Sequence, residues 1–241
     1  MNRFFPVVLF ILIYFNLSGQ NTFQGTYPGS TLNSPSSFCK SPDGGYLICS
    51  SSEFFSNSYD SFLLKTDSLG NVIWSKTYGW TTDERPWKIR ATNDGNYIFA
   101  GSTNWGPGIN NIYIGKIDSV GNHLFRKWVG GSGIDQATDL GATTNGGFII
   151  AGITNSFGAG ESEYILINFD SNGDTLWTKT FGWAGQEECY AVSQTTDGGF
   201  IMAGYSTMNP GLIPHACLVK TDSIGNFSWM KSYSGTDFDN F

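Results

Sequence analysis

Lys65-Thr66-Asp67-Ser68-Leu69-Gly70-Asn71-Val72-Ile73-Trp74-Ser75-Lys76-Thr77-Tyr78 is the stretch on which the reading of the chain turns. It returns as Lys116-Ile117-Asp118-Ser119-Val120-Gly121-Asn122, as Asn168-Phe169-Asp170-Ser171-Asn172-Gly173-Asp174, and as Lys220-Thr221-Asp222-Ser223-Ile224-Gly225-Asn226. The turn aspartates Asp67, Asp118, Asp170 and Asp222 are thus 51, 52 and 52 residues apart. Each copy reads as a strand, an Asp-x-x-Gly turn closed by Gly70, Gly121, Gly173 or Gly225, and a second strand. Four residues after the glycine stands a large aromatic (Trp74, Phe125, Trp177, Trp229), and two further on a lysine (Lys76, Lys127, Lys179, Lys231). Self-similarity at such a period signals a repeat architecture.

A second signature precedes each turn. Asp43-Gly44-Gly45-Tyr46-Leu47-Ile48-Cys49 matches the runs from Asp94 to Ala100, from Asn145 to Ala151 and from Asp197 to Ala203. Asp-Gly or Asn-Gly before an aromatic and β-branched run is a hairpin signal, because glycine supplies the positive φ of a tight turn. Five residues upstream lie Phe38, Ile89, Leu140 and Val192, which mark one more short strand. A repeat therefore holds four strands, A to D, expected near 86–92, 96–102, 111–117 and 123–129 in the second copy. A repeated four-stranded meander is the pattern of a β-propeller blade. The expected fold is all-β, a propeller of four-stranded antiparallel blades at about 35–79, 86–130, 137–182 and 189–234. A β-solenoid is the rival, but its coils are usually shorter and have less use for Asp-Gly hairpins.

The 241 residues include 31 Gly and are 16% aromatic, a usage that favours turns and strands. Met1-Asn2-Arg3, the apolar run from Phe4 to Leu17 and Ser18-Gly19-Gln20 follow the basic, apolar, small order of a secretory signal peptide, so residues 1–19 are expected to be removed. The run is shorter than the roughly 20 apolar residues a membrane-spanning helix needs. An exported protein, secreted or at the cell surface, is the expectation, without membrane insertion of the mature chain. With 13 Lys and Arg against 20 Asp and Glu, the net charge of −7 argues against nucleic acid as a partner. Cys39, Cys49, Cys189 and Cys217 show no framework spacing and read as free buried thiols.

The pattern Asp-Gly-Gly-Tyr/Phe-apolar-apolar-Ala-Gly, then apolar-x-Lys-x-Asp-Ser-x-Gly-Asn-x-x-Trp, resembles the delta-60-type repeats of exported bacterial propeller proteins. Similar repeats are common in surface proteins of bacteria that use type IX secretion. The resemblance covers about residues 35–233 and implies a fold rather than an activity. The turn and tryptophan also resemble the tryptophan-docking motif of quinoprotein propellers, a likeness confined to blade packing. No cofactor is implied.

Phe23-Gln24-Gly25-Thr26-Tyr27 lines up with Trp74-Ser75-Lys76-Thr77-Tyr78, so segment 20–34 is expected to carry an orphan D strand at 22–28. Asp239-Asn240-Phe241 aligns with the start of an A strand, as if a fifth blade began at 239–241. Together these suggest an incomplete ring, a piece of a longer propeller.

Chemistry-bearing motifs are sparse. Asp170-Ser171-Asn172-Gly173-Asp174 has the alternating oxygens of a calcium loop, but the other copies replace two ligands and no distant bidentate carboxylate is placed. The turn aspartates read instead as caps of their own backbone. His123 and His215 have no neighbours at metal-ligand spacing, and no nucleophile elbow, HExxH or phosphate loop occurs. No catalytic residue and no metal site is singled out. Glu161/Glu163 and Glu187/Glu188 read as loop carboxylates. The functional expectation rests on the B–C and D–A loops, which share one face of a meander. They hold Phe54, Phe55, Trp80, Trp105, Phe157 and Trp183 with Glu53, Asp83, Glu84, Glu161, Glu187 and Glu188. Of these, Phe54, Trp80, Glu84, Trp105, Phe157, Trp183 and Glu187 are the candidate ligand-binding set. The leading expectation is a monomeric, non-catalytic module that binds or scaffolds a protein or glycan. The alternative is a glycan-binding or glycan-active protein.

Overall fold

The protein was analysed as a computed structural model describing residues 33–53, 58–79, 81–158, 161–183, 185–207 and 214–233. The leader, the orphan strand at 22–28, Phe54, Phe55, Trp80 and the fifth-blade start at 239–241 lie outside the described residues.

Every regular element among the described residues is a strand, and the strands form four antiparallel sheets. Blade 1 holds β1 (Asn33–Lys40), β2 (Tyr46–Glu53), β3 (Tyr59–Thr66) and β4 (Val72–Tyr78). Blade 2 holds β5 (Glu84–Ala91), β6 (Tyr97–Thr103), β7 (Asn111–Ile117) and β8 (His123–Val129). Blade 3 holds β9 (Asp135–Ala142), β10 (Phe148–Thr154), β11 (Glu163–Phe169) and β12 (Thr175–Phe181). Blade 4 holds β13 (Glu187–Gln194), β14 (Phe200–Ser206), β15 (His215–Thr221) and β16 (Phe227–Tyr233). Within each blade the strands pair in chain order, a meander. β5 starts earlier than the sequence suggests, because Glu84 and Arg85 extend the ladder opposite Thr103 and Ser102. For the same reason Glu163, Glu187 and Glu188 are strand residues rather than loop residues.

The first strands β1, β5, β9 and β13 pack on one another in chain order, so they line the inside of the propeller and the fourth strands its rim. Three apolar cores fill the three blade junctions. Leu47, Cys49 and Leu63 of blade 1 meet Tyr97 and Phe99 of blade 2. Ile98, Ala100 and Ile114 of blade 2 meet Phe148 and Ile150 of blade 3, and Ile149, Ala151 and Leu166 of blade 3 meet Phe200 and Met202 of blade 4. The second strands of the middle blades, β6 and β10, thus send odd and even residues to opposite neighbours, and β6 is buried along its whole length. Full burial of such a side chain contributes on the order of 1.5–3 kcal/mol. All four cysteines are free and buried. Burial pushes the Cys39 and Cys49 thiols up to about 11 and the Cys189 thiol to about 12, so they act as small apolar groups.

The turn aspartates cap their own loops. Asp67 Oδ1 accepts from the Leu69 and Asn71 amides at 2.8 and 2.9 Å, and Asp118, Asp170 and Asp222 repeat the arrangement. The following glycine, at φ near +80°, is a docking point for the preceding blade. A Cβ on Gly121 would lie 3.1 Å from the Trp74 ring, one on Gly173 2.5 Å from Phe125, and one on Gly225 2.7 Å from Trp177. The lysines reach the same turns. Lys76 donates to the Val120 and Gly121 carbonyls at 2.9 Å, and Lys127 pairs with Asp174 at 2.6 Å. On the same end, Lys65, Lys116 and Lys220 tie the C strand to the A–B turn through Asp43, Asp94 and Asp197.

Candidate functional site

The loop face is built on a polar row at the end of every blade. In blade 3 the register places Asp135 opposite Thr154 and Thr154 opposite Glu163; in blade 4 it places Glu187 opposite Ser206 and Ser206 opposite His215. The acids are sealed within this row. Asp135 accepts hydrogen bonds from Thr154, from Ser156 and, at 2.8 Å, from the Gly131 amide. Glu187 accepts from the Ser206 hydroxyl at 2.8 Å and from the Trp183 amide at 2.9 Å. Glu84 accepts from the Thr82 hydroxyl.

Glu84 and Glu187 have 0% relative exposure, which corrects their place in the candidate ligand-binding set. They fasten the D–A loops to the blade instead of facing solvent. Glycine follows the fourth strand in blades 1 to 3 because these groups occupy the space of a side chain there. A Cβ on Gly182 would lie 2.5 Å from Glu163 Cγ and 2.7 Å from Glu187 Oε2.

The described candidate aromatics, Trp105, Phe157 and Trp183, lie on three different loops. Trp105 is half-buried, edge to face with Trp128 at 6.3 Å and with the Arg126 guanidinium 4.5 Å above its ring. Phe157 and Trp183 are exposed on successive loops. No described group of three or more His, Cys, Asp or Glu residues could hold a metal ion.

What the structure does assemble is a polar cleft between blades 2 and 3 on the loop face. It has a volume of about 270 Å³ and is lined by Asp83, Arg85, Trp87, Ser102, Thr103, Asn110 and Gln136. A β-bulge creates it. Between Pro86 and Lys88 the register of β5 against β6 slips by one residue, and Trp87 is the extra one. A bulged residue leaves the pleat and its side chain is re-aimed. The Trp87 ring stands 46% exposed, with Nε1 donating to the Ser102 hydroxyl at 3.2 Å. Gly101 makes room beneath it, since a Cβ there would lie 1.8 Å from the Arg85 carbonyl and 2.7 Å from Trp87 Cδ1.

The charged wall is held from both sides. Arg85 donates to Asp83 Oδ2 at 3.1 Å, and its guanidinium lies 3.8 Å above the Tyr59 ring of blade 1. Asp83 Oδ1 accepts from the Tyr59 amide at 3.0 Å, and the Asp83 amide donates to Asn104 Oδ1 at 2.8 Å. The cleft therefore offers an aromatic face, a positioned carboxylate and guanidinium, and the amides of Asn110 and Gln136. Of these, sequence reasoning noted Asp83 as a loop acid and passed over the others. The signal was present in the inner-strand position that reads Ser36, Trp87, Thr138 and Tyr190 in successive blades. Ser36 and Thr138 donate to the Pro86 and Cys189 carbonyls of the next blade, both at 2.6 Å, whereas Trp87 faces solvent.

No protein-family model and no curated protein sequence matches the chain. Among solved structures, similarity extends to an endo-arabinase from Bacteroides thetaiotaomicron VPI-5482, at 13% identity and a TM-score of 0.48 over 80% of this chain and 77% of that one. A Parabacteroides distasonis ATCC 8503 protein, provisionally described as a glycoside hydrolase, gives 13% identity and a TM-score of 0.44 over 78% and 69% of the two chains. A eukaryotic initiation factor gives 11% and 0.40 over 83% and 55%. At such values these likenesses carry nothing about activity.

Proposed function

We propose that this propeller is a carbohydrate-binding module that holds a saccharide in the Trp87 cleft without cleaving it. The observation that carries the reading is the exposed Trp87 ring framed by Asp83, Arg85, Asn110 and Gln136. A sugar ring presents C–H groups on one face and hydroxyls around its edge. An aromatic plane with an apolar body suits the face, and planar carboxylate, guanidinium and amide groups suit the edge. The volume of about 270 Å³ is at the small end for a ligand pocket, which suits a small ligand. Glycoside cleavage needs two carboxyl groups roughly 5–9.5 Å apart across the bond. Among the described residues lining the cleft, Asp83 is the one carboxylate, and Glu84 beside it is sealed inside the blade. Export, supported by the order of residues 1–19, would bring such a module to extracellular glycans.

Titration of the chain with a panel of neutral and acidic oligosaccharides, followed by tryptophan fluorescence and calorimetry, tests this. One class is expected to bind with a Kd in the μM to mM range, and Trp87→Ala is expected to weaken it at least tenfold with an unchanged circular dichroism spectrum. No binding by any saccharide, or binding indifferent to Trp87→Ala, would refute the reading.

A further inference from the structure

The two end blades leave part of their second strand exposed where the two middle ones bury it. The second strand is buried throughout in blade 2 (β6) and at every position but Ile153 in blade 3 (β10), whereas β14 alternates between buried and half-exposed along its length and β2 does so over its first half. The alternation singles out one face of each end blade. On blade 4 it is the face of Ile201, Ala203, Tyr205 and Leu218, whose counterparts Ile149, Ala151 and Leu166 in blade 3 are buried against blade 4. On blade 1 it is the face of Phe38 and Ile48, whose counterparts Ile89 and Phe99 are buried against blade 1. Phe38 is 63% exposed where Ile89 is 0% exposed. Each flank carries an apolar groove. One of about 530 Å³ lies over Tyr190, Ala203, Ala216, Leu218 and Tyr233, and one of about 470 Å³ over Pro35, Phe38, Tyr46 and Ile48.

The three internal junctions define what each flank accepts. At every one, a row of a large aliphatic and a small residue (Leu47/Cys49, Ile98/Ala100, Ile149/Ala151) meets a row of an aromatic and a large apolar residue (Tyr97/Phe99, Phe148/Ile150, Phe200/Met202). The open face of blade 4 presents the first kind of row, Ile201/Ala203, and the open face of blade 1 the second kind, Tyr46/Ile48. The rim contact is equally specific. Trp74, Phe125 and Trp177 each lie on the glycine of the next blade's turn, while Trp229 of blade 4 is 37% exposed, with Lys231 5.5 Å from its ring centroid. Blade 1 presents a turn of the same kind at Asp67–Gly70, with Leu69 54% exposed at its tip.

From this complementarity we infer that the flank of blade 4 left open by the described residues docks on the corresponding flank of blade 1 in a second copy of this chain, head to tail. Sequence alone pointed to a monomer; the two flanks point to self-association. The contact would continue the apolar packing of the internal junctions, and Trp229 would gain the turn that its counterparts already have. Such a heterologous contact builds a ring where the rotation closes and a filament where it does not. The inference is independent of the saccharide cleft, which lies at the other end of the strands from the Asp-x-x-Gly turns.

Sedimentation velocity of the full chain over a concentration series tests it, with Ala203→Arg and Ile48→Arg as the variants. Wild type is expected to gain mass with concentration within the range up to about 100 μM. Each variant alone is expected to stay monomeric with a wild-type circular dichroism spectrum. Ala203→Arg keeps an intact blade 1 flank and Ile48→Arg an intact blade 4 flank, so their equimolar mixture is expected to give a species of two chains and nothing larger. Leu218→Arg replaces Ala203→Arg should the latter fail to fold. A wild-type chain that stays monomeric throughout that range, or variants that associate as wild type does, would overturn the proposal. A monomer would mean that the flank takes some other partner or none.

Discussion

Alanine at Gly225 and at Gly146 would separate two costs that usually come together. Both glycines sit in the left-handed region, at φ of 78° and 86°. That conformation brings an L side chain close to its own following carbonyl, at a cost of about 1–2 kcal/mol. At Gly146 nothing lies within 4 Å of an added Cβ, so Gly146→Ala should lose that amount and no more. At Gly225 the same Cβ would lie 2.7 Å from Trp177 Cζ3 and 3.0 Å from Lys179 Cγ. Carbon atoms rest at about 3.5–4.0 Å, so the indole must move by close to an ångström. Trp177 cannot yield freely, because its other side packs edge to face on Phe200 at 5.7 Å in the core between blades 3 and 4. Overpacking of this kind costs about 1–3 kcal/mol, so Gly225→Ala should lose about 2–5 kcal/mol in total. Urea titration followed by circular dichroism, with matched m values, reads the difference directly. Equal losses for the two variants would refute the idea that the turn glycine is a seat for the preceding blade's tryptophan.

Two further outcomes follow from the same architecture. Trp177→Ala should cost about 2–4 kcal/mol in urea titration, since the ring fills a junction, whereas Trp229→Ala should cost under about 1 kcal/mol in the monomeric Ala203→Arg background; similar losses would mean that the junction does not hold the ring. In acid, the hydrogen bond from Lys65 holds the Asp43 carboxyl down at about 2, and hydrogen bonds from Thr195 and Lys220 hold Asp197 below the usual carboxylate range. Because these folded-state values lie below the unfolded ones, the stabilisation is present above about pH 4 and is lost as pH falls through the folded value. The stability gap between wild type and Asp43→Asn should therefore be constant from pH 7 to about 5 and shrink from about pH 4 towards 2. A gap that does not change with pH would show that the pair is not formed in solution.

The repeat was legible because its chemistry is local. An aspartate that caps its own turn, a glycine at positive φ and an aromatic four residues on are all set within a dozen positions, so the strands of blade 2 could be placed to within about two residues. The buried state of Glu84 and Glu187 was not legible, because an acid before a strand looks alike whether it meets water or a hydroxyl on the neighbouring strand. Only the register against Thr103 and Ser206 decides it. The cleft was hidden for a related reason. One inserted residue re-aims Trp87, and the bulge position carries the hydroxyl residues Ser36, Thr138 and Tyr190 elsewhere, none of which marks it as a site for an exposed indole. Its trace was the glycine of the Ala-Gly pair, which in blade 2 is Gly101 under the Arg85 carbonyl.

The forward reach of each rim aromatic gives the propeller a direction. Every blade carries a hook for its successor and a seat for its predecessor, and at each described junction these are the same kinds of group, an aromatic ring with a lysine on a turn glycine. A duplication or loss of one whole repeat, 51 or 52 residues long, would therefore leave every remaining junction with its chemistry intact. Blade number can then drift over evolution by recombination within the gene, with no compensating change in the cores. The inner-strand bulge is free of that constraint. Trp87 occupies a position whose counterparts differ from blade to blade, so a recognition residue can be acquired in one repeat while the joints that hold all of them stay as they are.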